Sequence, residues 1–377
     1  MRILYVSDHG PYSNTFIRQD VEIISKDLET LYMCFEMEKP YENKKIKTKL
    51  VKYPSSSFKS KLKWHLENKN YIFNWSDKKF SQKLRIQIND FNPHIIHCQF
   101  SYEAAKLLQN FKTTAPVILN FRGYGASAKL QNRHYVSWLK SIAKKKNIYP
   151  VYVCEYLKKS LIDKKINFIN NGMVLYTGIN QDLFKRINPI VINNTKKFIQ
   201  VGAFGDKKGH EVTIKAFAMF IKLNEFKNSH LVFIGEGPNL NNCKLLVKEL
   251  NIANHVFFKG HLTQIEIIKE LEKSDIFVHH SLTAENGDQE GIPNAILEAM
   301  SLELPILSTY HSGIPEAIIH KENGLLCKEK DIKTLAKQMA EIYNWGLVPN
   351  NRKTIEKKFS IELHIKKLKS FYNNITK

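Results

Sequence analysis

Glu290-Gly-Ile-Pro-Asn-Ala-Ile-Leu-Glu298 sets two carboxylates eight residues apart across a loop-to-helix junction. Pro293 reads as the first helical residue, because the N–H it lacks is one that a helix start leaves unpaired in any case. Ala295, Ile296, Leu297, Ala299 and Met300 form the apolar body of the helix. Glu290 then lies in the loop and Glu298 about two turns into the helix. The N–H groups from Gly291 to Ala295, reinforced by the helix dipole, make a local anion site. Two carboxylates beside it can accept hydrogen bonds from hydroxyls. A ligand that is both phosphorylated and rich in OH groups suits that pattern, and a nucleotide sugar has this chemistry.

Outward from this stretch, apolar strand-like runs alternate with segments of helical period, the pattern of a parallel α/β protein. Expected strands in the first half are Ile3–Ser7, Leu31–Phe35, Ile95–Cys98, Val117–Phe121 and Tyr149–Cys154, with shorter runs at Ile166–Ile169 and Met173–Tyr176. A helix is expected near Thr15–Lys26. The Asn- and Pro-containing stretch Lys185–Lys197 reads as a connector. A second series follows, with strands Phe198–Ala203, His230–Ile234, Val256–Lys259, Ile276–His279 and Pro305–Ser308. Helices His210–Leu223, Leu240–Leu250, Gln264–Glu272 and Asn294–Ser301 separate them, and Lys333–Tyr343 and Ile355–Tyr372 end the chain. This order predicts two doubly wound, Rossmann-like domains facing a cleft, since such sheets bind ligands beyond the carboxyl ends of their strands. The expected limits are 1–186, 187–350, and a C-terminal helix over 351–377 that packs back on the first domain.

Composition bounds the function. A chain of 377 residues with 43% hydrophobic content accommodates two ordinary domains, and no apolar run reaches the length of a membrane span. The start, Met1-Arg-Ile-Leu-Tyr-Val-Ser7, is too short in apolar length for a secretory signal and reads as a buried strand. Cys34, Cys98, Cys154, Cys243 and Cys327 stand singly, as buried free thiols in a reducing cytoplasm would.

The net charge of +21 is unevenly placed, with 32 Lys+Arg against 15 Asp+Glu in residues 1–186 and 25 against 21 in the remainder. Between Lys39 and Arg85 the basic residues interleave with Phe58, Leu62, Trp64, Leu66, Tyr71, Phe73 and Trp75. Attraction to an anionic membrane surface fits this mixture. The alternatives are a solvated basic face and nucleic-acid binding. The second has no recognisable module behind it, so no nucleic-acid partner is expected.

Further signals fall in the second half. Gly202-Ala-Phe-Gly-Asp-Lys-Lys-Gly209 joins a strand to a helix, so backbone can approach a ligand there and Lys208 can meet phosphate charge. Gly235-Glu-Gly-Pro238 is a tight turn at a strand end. Asp288-Gln-Glu290 and Ser308-Thr-Tyr-His-Ser-Gly-Ile-Pro-Glu316 belong to the same sheet edge. His279 and His280 are adjacent on a strand and face opposite sides, which argues against a shared metal.

In this order the motifs resemble the retaining GT-B glycosyltransferases of family four. The matching pieces include Gly202…Lys208-Gly209, Gly287-Asp-Gln-Glu-Gly-Ile-Pro293, Glu298-Ala-Met300, His311-Ser-Gly-Ile-Pro-Glu316 and Asn323-Gly-Leu325. Gly10-Pro-Tyr-Ser-Asn-Thr-Phe-Ile17 is similar to the opening of polysaccharide-assembly members, and Tyr176-Thr-Gly-Ile-Asn180 to the segment that ends the first domain. The resemblance implies that Lys208 and Gly202 serve the donor diphosphate and Glu298 the ribose hydroxyls. Glu290 contacts the donor sugar, and Gly291, Ile292, Pro293 and Asn294 approach sugar and phosphate. It implies substitution with retention, with no protein nucleophile and no metal or other cofactor.

Departures from the family pattern are Ala203 for a common Arg, Arg122 for His, Gly125 for Asp, Asn14 for Glu and Glu303 for Gly. Arg122 is expected to supply positive charge at the reaction centre, with Ser13 and Asn14 on the acceptor and phosphate side. The resulting expectation is a glycosyltransferase at the cytoplasmic face of a bacterial membrane. It would move sugar from a UDP-linked donor to a polyprenyl-diphosphate-linked acceptor in surface-polysaccharide assembly. The competing classes are a non-catalytic sugar-nucleotide scaffold and a transferase with a soluble acceptor.

Overall fold

A computed structural model describes residues 1–10, 15–36, 46–52, 78–187 and 195–377. Contacts divide the chain into two compact units, Met1–Tyr176 with His364–Lys377, and Thr177–Leu363. Residues 177–186 belong to the second unit because their polar groups are satisfied there. Arg186 Nη1 donates to the Glu272 carbonyl at 2.6 Å, and the Phe184 carbonyl accepts from Ser301 Oγ at 2.7 Å.

The first unit is built on a parallel sheet of β1 (Arg2–Ser7), β2 (Glu29–Cys34), β3 (Thr48–Leu50), β4 (Ile95–Cys98), β5 (Val117–Phe121), β6 (Ile148–Tyr152) and β7 (Met173–Val174). Its order is β3-β2-β1-β4-β5-β6-β7, so the winding reverses between β1 and β4. Runs such as Ile3-Leu-Tyr-Val6 and Val117-Ile-Leu119 are buried on both faces, as strands of a helix-covered parallel sheet must be. Most expected strands form with ends displaced by a residue or two. Ile166–Ile169 does not: the Ile166 N–H donates to the Leu161 carbonyl and closes the preceding helix instead. The short β3 carries no apolar alternation that would have marked it.

The second unit repeats the plan with β8 (Lys197–Val201), β9 (His230–Ile234), β10 (Val256–Phe258), β11 (Ile276–Val278), β12 (Ile306–Thr309) and β13 (Gly324–Cys327). All pairs are parallel in the order β10-β9-β8-β11-β12-β13, and the reversal lies between β8 and β11. An aromatic cluster of Phe198, Phe204, Phe217, Phe220 and Phe233, all fully buried, holds the helix His210–Phe220 against this sheet. The expected final helix is broken. Residues Ile355–Phe359 form a π turn, Ser360 is extended, and the helix restarts over Ile361–Ile375. At the break the Ile179 N–H donates to Phe359 and the Ile361 N–H to Ile179, so the chain pairs with itself where the long helix stops.

In the first unit, that C-terminal segment is held by buried polar contacts. His364 Nδ1 lies 2.7 Å from the Tyr176 carbonyl, which can only accept, and its Nε2 lies 3.2 Å from Asp20 Oδ1. Burial disfavours the imidazolium, but Asp20 outweighs it and raises the His364 pKa. Tyr372 is fully buried, and its hydroxyl meets His97 Nδ1 at 2.7 Å and the Tyr5 hydroxyl at 3.1 Å. Tyr372→Phe keeps the ring but strands both partners. It should lower the stability of the full chain by about 1–3 kcal/mol, the cost of unsatisfied buried polar groups, read as a lower urea midpoint with unchanged slope.

Candidate functional site

The described site residues of the second unit converge at the carboxyl end of β8 and β11, where the winding reverses and doubly wound sheets take their ligands. β8 runs into Gly202, and the following loop turns through Lys207 and Lys208 to reach the helix at His210. Gly209 makes that turn at φ 61°, and a Cβ there would lie 1.9 Å from the His280 carbonyl oxygen. Only glycine fits such an approach in the left-handed region. Both lysine carbonyls are anchored: Lys207 accepts from the Leu282 N–H at 3.0 Å and Lys208 from Gln200 Nε2 at 2.8 Å.

Glu290 arrives from the loop before the helix Asn294–Ser301. Its Oε1 lies 2.9 Å from Lys208 Nζ and 3.5 Å from Lys207 Nζ, while Lys207 also meets Asp288 Oδ2 at 2.9 Å. Burial would raise the Glu290 carboxyl, but the two ammonium groups overcome it and hold the pKa at about 2. The group is therefore an anion throughout the working range. For Lys207, burial acts against the charge, and Glu290 with Asp288 reverses the balance and raises its pKa.

The Glu290 backbone is fixed from a neighbouring loop. Its N–H donates to His311 Nε2 at 3.1 Å, and its carbonyl accepts from Ser312 Oγ at 2.6 Å. His311 Nδ1 lies 2.6 Å from Glu329 Oε1, so the neutral ring carries its hydrogen on Nδ1. Ser312 holds this position at φ 48°, a left-handed conformation unusual for a residue with a side chain. Its strain lies beside the Glu290 backbone carbonyl that it holds.

The helix start is displaced by one residue from the sequence reading. Pro293 is the extended N-cap, with ψ 125°, and Asn294 is the first helical residue. The Pro293 carbonyl accepts the Ile296 N–H at 3.0 Å, as an N-cap carbonyl does at the start of a helix. The N–H groups of Gly291, Ile292, Asn294 and Ala295 have no acceptor among the described residues, so the anion site read from the sequence is open. Glu298 is partly buried one face along, and no side-chain partner for it occurs among the described residues. Burial alone pushes its carboxyl up to about 7.

Two buried histidines complete the surroundings. A methyl group on Gly202 would sit 3.7 Å from both His279 Nε2 and Lys208 Cδ. His279 is fully buried, with Nδ1 2.8 Å from Ser281 Oγ and Nε2 unpartnered. Burial and then the Lys208 charge lower its pKa, so it is neutral. His280 turns away, accepting the Lys330 N–H on Nε2 at 2.9 Å. The two rings share no centre, and among the described residues no group of three His, Cys, Asp or Glu side chains could hold a metal ion.

Gly202, Lys208, Glu290, Gly291, Ile292, Pro293, Asn294 and Glu298 thus lie along one edge of one unit. Arg122 is elsewhere, in the first unit beyond the end of β5, with its guanidinium 4.5 Å over the Phe16 ring and Nε buried without a partner. Ser13 and Asn14 lie outside the described residues. Sequence reading missed Lys207, Asp288, His311, Glu329 and Ser312 as parts of the charge cluster. The doubled lysine before Gly209 was a usable signal for the first of these. Nothing local to Glu329 pointed to it, since it reaches Thr283 and His311 only through the fold.

Two doubly wound parallel sheets in one chain are the GT-B architecture of glycosyltransferases. Over 99% of its length the chain matches Anabaena HepE bound to UDP-glucose, with a TM-score of 0.78 at 14% identity and all of that chain covered. It matches a Rickettsia africae glycosyltransferase with a TM-score of 0.76 at 18% identity, covering 100% and 98% of the two chains. Residues 184–359, within the second unit, are similar to the glycosyl transferases group 1 family. AmsK of Erwinia amylovora, an amylovoran biosynthesis glycosyltransferase, is 35% identical over 159 residues, 42% of this chain and 39% of its own. WcaL of Escherichia coli K12, provisionally named a colanic acid biosynthesis glycosyltransferase, is 32% identical over 148 residues, 38% and 35% of the two chains. The similarity thus spans little more than a third of the curated relatives.

The unpaired carboxyl has a measurable signature without any ligand. Folding raises the Glu298 pKa from its ordinary 4.5 to about 7. Its contribution to stability is therefore full below pH 4.5 and lost as pH rises through 7. Glu298→Gln should leave the melting temperature unchanged at pH 4 and raise it at pH 8. A rise of equal size at both values would place the effect in packing rather than charge.

Proposed function

We propose that this chain is a retaining glycosyltransferase that moves a sugar from a UDP-linked donor to a polyprenyl-diphosphate-linked acceptor during assembly of a bacterial surface polysaccharide. The observation that carries the reading is the Glu290–Lys208 pair, 2.9 Å apart, with Glu290 in the loop that leads into the open helix start and Glu298 on that helix without a partner among the described residues. The group 1 similarity supports transfer chemistry, and AmsK and WcaL, named for exopolysaccharides, support the pathway class. HepE, with UDP-glucose in its structure, supports the donor class.

In this reading Glu298 accepts hydrogen bonds from the ribose hydroxyls, and the diphosphate lies against Lys208 and the N–H groups of Gly291 to Asn294. Glu290, ionised at neutral pH, accepts from hydroxyls of the donor sugar. The bond from the anomeric carbon to the diphosphate breaks as the acceptor oxygen joins the same face, and the acceptor proton passes to the leaving phosphate. Fixed cations and N–H dipoles meet the charge as it develops on that phosphate, which is how a preorganised site lowers a barrier. Arg122 adds positive charge from the first unit, and Ser13 with Asn14 serves the acceptor side. No metal has a part in these steps.

The chain works at the cytoplasmic face of the membrane, bound there through the basic and aromatic residues between Lys39 and Arg85. Most of these, including Trp64, Phe73 and Trp75, lie outside the described residues. No described helix is long and apolar enough to cross a bilayer.

A screen of nucleotide sugars against a lipid-linked acceptor, scored by nucleotide release, tests the activity. Glu298→Gln should raise the donor Michaelis constant by roughly tenfold or more, the equivalent of about 1.5–3 kcal/mol for a charged hydrogen bond. Glu290→Ala should lower turnover further, and EDTA should leave the wild-type rate unchanged. Unaltered donor kinetics in both folded variants would remove the site assignment.

Membrane binding has its own readout. Each basic residue near an anionic surface contributes on the order of 1 kcal/mol, decaying within about one Debye length. Co-sedimentation with anionic vesicles should therefore weaken as salt rises, and neutral vesicles should bind poorly. Changing Lys59, Lys61 and Lys63 to Gln should reduce both vesicle binding and activity on the lipid-linked acceptor, with activity on a short soluble acceptor kept.

A further inference from the structure

Two ammonium groups converge on one carboxylate oxygen in the second unit. Lys208 Nζ and Lys207 Nζ lie 2.9 and 3.5 Å from Glu290 Oε1, and Lys207 also holds Asp288 at 2.9 Å. Both lysines are largely buried, with side chains 19% and 28% exposed, and their backbone carbonyls are fixed by Gln200 and Leu282. A geometry in which two cations share two carboxylates has the charge and spacing to receive a diphosphate, whose oxygens would replace those of the carboxylates.

A second feature points to a ligand at this place. His279 is fully buried, and its Nε2 is unpartnered beside Lys208 and the bare face of Gly202. The N–H groups of Gly291, Ile292, Asn294 and Ala295 have no acceptor among the described residues. Buried polar atoms left unmatched next to a cation pair mark a volume that a polar anion is suited to fill.

We propose that Lys207 and Lys208 together bind the donor diphosphate as a two-cation site, which Asp288 and Glu290 occupy in its absence and leave when it arrives. The assignment rests on the nucleotide-sugar reading above and adds to it a second cation and an exchange. Glu290 is released from Lys208 by the ligand whose sugar it then contacts, so an empty site keeps its sugar-binding carboxylate engaged. Asp288 acts as a competitor of the diphosphate for Lys207.

Calorimetric titration of the full chain with inorganic pyrophosphate, UDP and uridine tests this. Lys207→Gln should weaken pyrophosphate and UDP by about tenfold, the loss of one charge-assisted contact, and leave uridine unchanged. Lys207→Arg should retain most of the affinity, which separates lost charge from misfolding. Asp288→Asn should tighten pyrophosphate and UDP several-fold, because it removes the competing anion.

Wild-type pyrophosphate affinity in a folded Lys207→Gln variant, or no pyrophosphate binding by the wild type, would overturn the two-cation site. Weaker binding in Asp288→Asn would overturn the exchange, since Asp288 would then be positioning Lys207. Lysine-dependent pyrophosphate binding with no added affinity for UDP would leave the two-cation site standing and remove the nucleotide reading on which the donor assignment depends.

Discussion

A carboxylate taken out of water must be paired or lose its charge, and the second unit uses both solutions within one motif. Glu290 is paired, with Lys208 and Lys207 at its Oε1, and remains ionised with a pKa of about 2. Glu298, about one turn into the helix that follows, has no partner among the described residues and is pushed up to about 7. The contrast follows from the loop: the bend through Gly209 brings two lysines over Glu290 and none over Glu298. An ionised group can accept hydroxyls at once. A carboxyl near 7 gains its full charge when hydroxyl donors favour the anion, so ligand binding and proton release are linked at this residue.

The scaffold explains why that pairing persists. The lysines come from the loop after β8 and the glutamates from the segment after β11, adjacent strands at the reversal of winding. Gly209 passes so close to the His280 carbonyl that no side chain fits. On the other side, Glu329 orients His311, His311 takes the Glu290 N–H, and Ser312 takes its carbonyl. The Glu290 backbone is therefore held in place, while its side-chain carboxylate is free to exchange ammonium partners for another ligand. Rigid backbone with exchangeable counter-ions is the arrangement a site needs when its ligand is itself an anion.

Much of this was legible from residue order. The alternation of apolar runs and helical periods identified two parallel sheets, and Glu290, Glu298 and Lys208 followed from one loop-to-helix motif and one glycine-bounded loop. What escaped depends on distance in the chain. Glu329 is 39 positions from Glu290 and acts on it through His311, a relation with no sequence period. Asp288 belongs to a recognisable motif, but its partner Lys207 does not stand out in the sequence, because adjacent lysines look equivalent until the fold aims them. The helix start was misplaced by one residue since Pro293 is acceptable both as first helical residue and as N-cap. Its extended ψ of 125° decides between them.

The departures from the family pattern acquire physical meaning in the fold. At Gly125 a Cβ would lie 2.4 Å from Ser101 Oγ, whose hydroxyl is 2.8 Å from Tyr135. The volume a carboxylate would need is already filled by a neutral hydrogen-bonded pair, so Gly125 belongs to a repacked environment. Glu303, where glycine is frequent, takes φ 64°, a conformation that costs a residue with a Cβ roughly 1–2 kcal/mol. That strain lies at the end of the helix Asn294–Ser301, beyond Glu298, and its carbonyl is held by the Val348 N–H at 2.7 Å. Neither change touches the groups around Glu290. Arg122 differs in kind, because it introduces a buried charge whose pKa burial lowers and Asp20 supports. A guanidinium retained at that cost, with Nε unpartnered, is the departure whose chemistry reaches beyond packing.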